Sequence, residues 1–161
     1  MSSRLIKTIF GFSVGLYMTI VCFNNLTDFD SNFQFVRMVS GMQDVFSNAH
    51  TGWRSIHSDI LHRIMYLFII TIELTIACLT ILGSFKMVFR LSSAPAAFQQ
   101  SKKLLLTGLA IGVLLWFVMF ITIGGEWFLM WQSKIWNGQS TAFFLSTCFL
   151  LFLHYISQPD A

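Results

Sequence analysis

Four long apolar stretches are separated by polar segments along the chain: about Leu5–Phe23, Ile64–Gly83, Leu104–Ile123 and Thr141–Ile156. A helix needs about 20 mostly apolar residues to cross a hydrocarbon core of roughly 30 Å. The first three stretches meet that length. The fourth is shorter at its strict core, but Phe143–Tyr155 is nearly unbroken and its flanks can add a turn. The pattern predicts an all-α fold, a four-helix transmembrane bundle in one domain spanning residues 1–161. The connection from Asn24 to Arg63 is the longest outside the spans. Within it Phe33, Val36 and Val39 recur at near-helical spacing, with Asp30 or Ser31 as caps, which predicts a short amphipathic helix lying at the membrane surface. Between the second and third spans, Ser92-Ser93-Ala94-Pro95 predicts a helix end, a turn and a restart.

Composition agrees with the pattern and excludes other classes. Hydrophobic residues make up 55% of the chain and charged residues 11%, against roughly 25% charged in an average soluble domain. So few charges cannot cover the surface of a soluble domain of this length. An ordinary cytosolic enzyme, a nucleic-acid binder and a disordered linker are thereby excluded. The net charge of +3 is spread over short connections and makes no basic face for DNA.

Orientation follows from Lys and Arg. Arg4 and Lys7 precede the first span, and Lys86, Arg90, Lys102 and Lys103 flank or fill the connection between the second and third. This places both termini in the cytoplasm and makes the long first connection an extracytoplasmic loop. The localisation expected is the inner (plasma) membrane of a bacterium. Arg4 and Lys7 ahead of an apolar run resemble a secretory signal, but no small-x-small cleavage site follows, so the first span is expected to remain as an anchor. Cys22, Cys78 and Cys148 fall in or beside the spans without a C-x-x-C pair and read as apolar packing residues.

Glu73 is the sharpest polar feature. It falls near the middle of the second span, where a charge is costly enough to mark a functional site. Its helical face also collects Asp59, His62, Tyr66, Ala77 and Thr80. In the fourth span Ser140, Thr147 and His154 recur every seven residues, which predicts a pocket formed by Glu73 and completed by Thr147 and His154. The alternative is a structural carboxyl that braces the bundle through a neighbouring hydroxyl or carbonyl. Gly11-x-x-x-Gly15 and Gly108-x-x-x-Gly112 permit close backbone approach. They either pack the first span against the third or receive another membrane protein or a second copy. His50, His57, His62 and His154 are the whole histidine supply, and their spacing matches no established metal or haem motif, so no metal or cofactor is expected.

The third connection, Gly124–Gln139, carries Trp127, Trp131 and Trp136 interleaved with Glu126, Gln132, Asn137 and Gln139. Tryptophans at this density form an interfacial aromatic belt, yet the polar residues between them exceed what anchoring needs. This segment, with Trp53-Arg54 ahead of the second span and Glu73 within it, resembles a bacterial family of predicted small integral membrane proteins classed as a domain of unknown function. The resemblance covers essentially the whole chain. It implies a four-helix inner-membrane protein with no assigned activity, and marks Arg54, Glu73, Glu126, Trp127, Trp131, Gln132, Trp136, Asn137 and Gln139 as the positions to follow. No nucleophile–base set or phosphate loop is legible. The reading that results is an accessory, binding or structural component of the membrane that contacts the lipid bilayer. The alternative is a small proton- or ion-coupled transporter using Glu73.

Overall fold

A computed structural model of the chain describes residues 2–47 and 50–160. Among these residues the fold is all helical. Four helices are long and apolar enough to cross a membrane: Ser3–Thr27, Asp59–Val88, Lys103–Trp127 and Gln139–Ser157. Each overruns its apolar stretch because the flanking polar residues continue the helix. In chain order the elements are α1 (Ser2–Thr27), α2 (Phe29–Ser40), α3 (Asp59–Val88), α4 (Pro95–Ser101), α5 (Lys103–Leu114), a π-helix (Leu115–Trp127) that continues α5 without a break, and α6 (Gln139–Ser157). Single 3-10 turns form at Gly52–Arg54 and Met130–Gln132.

Local chemistry sets the ends. Ser58 caps α3 by accepting from the Leu61 amide at 3.4 Å, and Asp59 in its first turn and Lys86 in its last complement the helix dipole. Pro95 opens α4 at a position where its missing N–H is not needed, as the turn signal before it predicts. The surface helix also forms, as α2. Its cap position is Asp28, two or three residues ahead of the expected Asp30 or Ser31, and the Ser31 hydroxyl donates to the Asp28 carboxyl at 2.9 Å. Phe33, Val36 and Val39 are buried, so α2 lies across the bundle end on its apolar face.

α3 is the central helix, packed along α1 on one side and α5 on the other. The glycines explain why. A Cβ on Gly11 would lie 2.3 Å from the Ser84 hydroxyl, one on Gly15 would lie 2.5 Å from Ile81, and one on Gly108 would lie 2.9 Å from Thr80. The two glycine motifs therefore do not pack against each other. α3 is inserted between them, and Gly112 instead receives the Phe149 ring of α6, 2.1 Å from where its Cβ would be. Gly83, on α3, brings that helix against the backbone of Leu105. Thr80 and Ser84 return their hydroxyls to their own helix, at 2.7 Å from Ile76 O and Thr80 O, so they present small surfaces to α1. Beyond Leu114 the third span leaves α3: the π-helix runs along α6. A wedge opens between the α1–α3 pair and the π-helix–α6 pair, and α2 roofs it. Large apolar side chains such as Leu16, Phe23, Phe144 and Leu151 face outward, as lipid contact requires.

Candidate functional site

The wedge holds a chamber of about 260 Å³ whose walls come from α1, α2, α3, the π-helix and the start of α6. Glu73 is 2% exposed there. Its Oε2 accepts from Asn25 Nδ2 on α1 at 2.6 Å. The Tyr66 hydroxyl, one face-repeat along α3, donates to the Asn25 backbone oxygen at 3.1 Å. Asn25 is thus held on two sides, by its side chain and by its carbonyl. Trp116, 7% exposed, lines the same chamber from the π-helix, but its indole nitrogen is closed off from it and has no hydrogen-bond partner among the described residues. The remaining lining is mostly apolar, including Val21, Ile69 and Phe120. A fixed carboxyl in a largely apolar shell can hold a small guest that donates a hydrogen bond.

Of the residues expected at this pocket, Glu73 and Tyr66 line the chamber, whereas His62, Thr147 and His154 do not. Thr147 and His154 are exposed on α6 and take no part. The inward face of α6 is set by Ala142, Ser146, Phe149 and Ile156, because those residues meet α5 and the π-helix, and this turns the Thr147–His154 stripe outward. His154 instead lies 3.4 Å from Gln158. α6 reaches the chamber only through Thr141 and the preceding Gly138. His62 is buried, but it faces a separate polar groove with Arg37, His57 and Asp59, and its Nε2 is 3.1 Å from the Ile56 carbonyl oxygen. Among the described residues no group of three or more His, Cys, Asp or Glu side chains is gathered to hold a metal.

The tryptophan-rich connection divides into separate local contacts. The Arg54 guanidinium sits over the Trp127 ring at 4.6 Å and the Trp53 ring at 5.4 Å, and the two indoles meet edge to face at 5.8 Å. Gln139 donates to Glu126 at 3.3 Å. Gln132 accepts from the Phe46 amide at 2.9 Å, and Trp131 stands edge-on to the Phe46 ring. Asn137 receives the Gln139 amide at 3.1 Å and caps the entry to α6. Trp136 touches Phe35 of α2, so it is the one tryptophan of this segment that buttresses the chamber roof. The chain reverses here through Leu129, whose left-handed φ of 56° costs a non-glycine residue about 1 kcal/mol and lets buried Met130 return beneath α2.

Sequence reasoning missed Asn25 and Trp116. Asn25 was legible as a polar residue closing an apolar span, whereas Trp116 carries no signal among the apolar residues around it. It also missed a charged cluster at the opposite end of the bundle. There Lys7 reaches the Gln158 carbonyl oxygen at 2.7 Å and the Asp160 carboxylate at 3.0 Å. Lys102 reaches the same carbonyl at 2.9 Å and also pairs with Asp160. Burial pushes Asp160 up, but the hydrogen bonds and charges of Lys102 and Lys7 outweigh it and hold the carboxyl below the ordinary Asp range. Burial pushes Lys102 down, and Asp160 offsets only part of that.

Searches of curated proteins and of solved structures found no match to the chain. A family model does match, over residues 3–159, which is nearly the whole length. The four apolar helices and that match agree, and the chain belongs to the DUF2165 family of predicted small integral membrane proteins.

Proposed function

We propose that this protein is a non-enzymatic binding component of the membrane, which holds a small hydrogen-bonding guest at Glu73 in the wedge. The observation that carries this is the Glu73 carboxyl, buried, fixed by Asn25 and set in the wall of a chamber whose other lining is mostly apolar. The Asn25–Glu73 bond fixes the carboxyl in advance, so a guest does not have to order it.

The bundle end carrying Arg4, Lys7, Lys86, Arg90, Lys102 and Lys103 is assigned to the cytoplasmic face of a bacterial plasma membrane by the positive-inside bias. That puts α2 and the chamber mouth on the other side. A reporter inserted at residues 41–47 that proved cytoplasmic would reverse this assignment.

Native mass spectrometry of the full chain, released from mild detergent, tests the binding reading. The expected result is a small molecule retained by the wild type and lost by about tenfold in Glu73→Leu, the equivalent of one hydrogen bond near 1.4 kcal/mol. Equal retention by both proteins, or a stoichiometric protein partner on a bundle with an empty wedge, would overturn it.

A further inference from the structure

The basic residues at the bundle end away from the chamber divide into two sets. Lys7 and Lys102 are buried against Asp160, and Arg4 donates to the carbonyl oxygens of Leu91 and Ser93 at 3.1 and 2.7 Å. Lys86, Arg90 and Lys103 are exposed, and their side chains make no hydrogen bond or ion pair among the described residues. Lys86, in the last turn of α3, and Arg90, just beyond its end, line an open groove of about 460 Å³. Phe89 lines it beside them, and Ala97, Gln100 and Ser101 form the α4 wall. That wall is held in place by its neighbours. Phe98 is fully buried, with the Arg4 guanidinium 5.0 Å and the Lys102 ammonium 5.3 Å from its ring centre, and Gln99 donates to the Ser157 carbonyl oxygen at 3.1 Å.

The charge of this groove is unbalanced within the chain. No Asp or Glu occurs between Glu73 and Glu126, and Asp160 is committed to Lys7 and Lys102. A helix C-terminus by itself repels an anion, with about half an elementary charge. Here the last carbonyl oxygens of α3 already accept from the Phe89, Arg90 and Leu91 amides, and two full positive charges outweigh what remains. Leu82, Phe85 and Phe89 are 55%, 48% and 80% exposed, and they lead along α3 from the hydrocarbon to the groove. We propose that this groove seats the headgroup of an anionic phospholipid, with its phosphate at Lys86 and Arg90 and its acyl chains along Leu82, Phe85 and Phe89. A guanidinium grips phosphate oxygens in pairs and an ammonium adds a point charge. The Ser101 hydroxyl donates to the Phe98 carbonyl oxygen at 2.6 Å and keeps its lone pairs to accept, while the Gln100 amide has no partner among the described residues. Both suit a headgroup that carries hydroxyls, such as glycerol. A choline headgroup would bring its own cation against Lys86 and Arg90. The site is separate from the wedge and does not depend on what the wedge holds.

The test uses the full chain, stripped of lipid in mild detergent and titrated with dioleoyl phosphatidylglycerol or dioleoyl phosphatidylcholine, with bound lipid counted by native mass spectrometry. One phosphatidylglycerol is expected to bind about thirtyfold tighter than phosphatidylcholine, the equivalent of about 1 kcal/mol for each of the two cations. Lys86→Gln and Arg90→Gln are each expected to weaken phosphatidylglycerol about fivefold, and together to abolish the preference. Lys86→Arg keeps the charge and is expected to keep the preference. Lys103→Gln removes an equal charge outside the groove, and with screening it is expected to bind as the wild type does. The Lys86 and Arg90 side chains hold no other part of the fold, and the single variants decide the question if the double variant does not fold. Equal binding of the two lipids, a preference that survives both changes, or a loss as large in Lys103→Gln as in Lys86→Gln would overturn the site. Inorganic phosphate, titrated alone and bound as tightly as the lipid, would assign the groove to a free anion and overturn it too.

Discussion

Replacing Asn25 with Leu tests the polar link that shapes the chamber. Asn25 Nδ2 and Glu73 Oε2 are 2.6 Å apart, and the two residues are 8% and 2% exposed. Two magnitudes compete for the cost of losing that bond. In a water-soluble core a buried polar group left without its partner costs about 1–3 kcal/mol. Between membrane helices the measured range is lower, with an average of about 0.6 and a maximum of about 1.7 kcal/mol, because the unfolded chain in the bilayer finds other partners. The short distance and the carboxyl acceptor put Asn25 near the top of the membrane range, at about 1.5 kcal/mol. The backbone oxygen of residue 25 keeps its bond from Tyr66, so Asn25→Leu removes only the side-chain link. The assay is reversible unfolding in mixed micelles for Asn25→Leu, Glu73→Leu and the double variant. Each single change is expected to cost about 1.5 kcal/mol and the double little more than either, leaving a coupling near 1 kcal/mol. Glu73→Gln keeps an acceptor oxygen and is expected to cost less than about 0.5 kcal/mol. A coupling within about 0.3 kcal/mol of zero, the additivity expected of independent sites, would refute the argument that this bond ties α1 to α3.

Gly83→Ala is expected to lower thermal stability in detergent more than any other glycine-to-alanine change on α3's packed faces. The new Cβ would lie 2.4 Å from Leu105 N and 2.8 Å from its Cα, and backbone cannot swing aside. The net loss is about 1–2 kcal/mol after alanine's better helix preference is credited, whereas Gly52→Ala, with nothing within 4 Å, should be silent; equal melting temperatures for the two variants would contradict the packing account. Asp160, held below the ordinary Asp value by Lys102 and Lys7, contributes stability that is complete above that ordinary value of 3.8 and is lost as pH falls through its lower folded value. Melting curves taken through the acid range should therefore fall more steeply for the wild type than for Asp160→Asn, and parallel curves would remove Asp160 from any such role.

The membrane character, the four spans, the amphipathic α2 and the place of Glu73 inside the second span all follow from the sequence by itself. Each rests on a local or one-dimensional property: the length of an apolar run, a helical period, or the cost of a carboxyl in hydrocarbon. The turn at Pro95 and the apolar face of Phe33, Val36 and Val39 belong to the same kind of signal. Which helices touch does not. Gly11, Gly15, Gly108 and Gly112 announce close approach without naming a partner, and only the tertiary structure shows α3 between the two motifs, with Gly83 and Ser84 completing the fit. The side chain that bonds Glu73 is likewise set by the packing, and it is Asn25. A stripe such as Ser140, Thr147 and His154 defines one face of a helix, but the rotation of α6 is decided by Ala142, Ser146, Phe149 and Ile156 meeting α5 and the π-helix. Asn25 takes the place expected of span four because α1, rather than α6, lies along α3. The wedge itself depends on the third span leaving α3 beyond Leu114. That divergence places Trp116 in the chamber wall across from α2 and α3, and a change of helical path of this kind arises from packing among several helices rather than from any residue pattern within one.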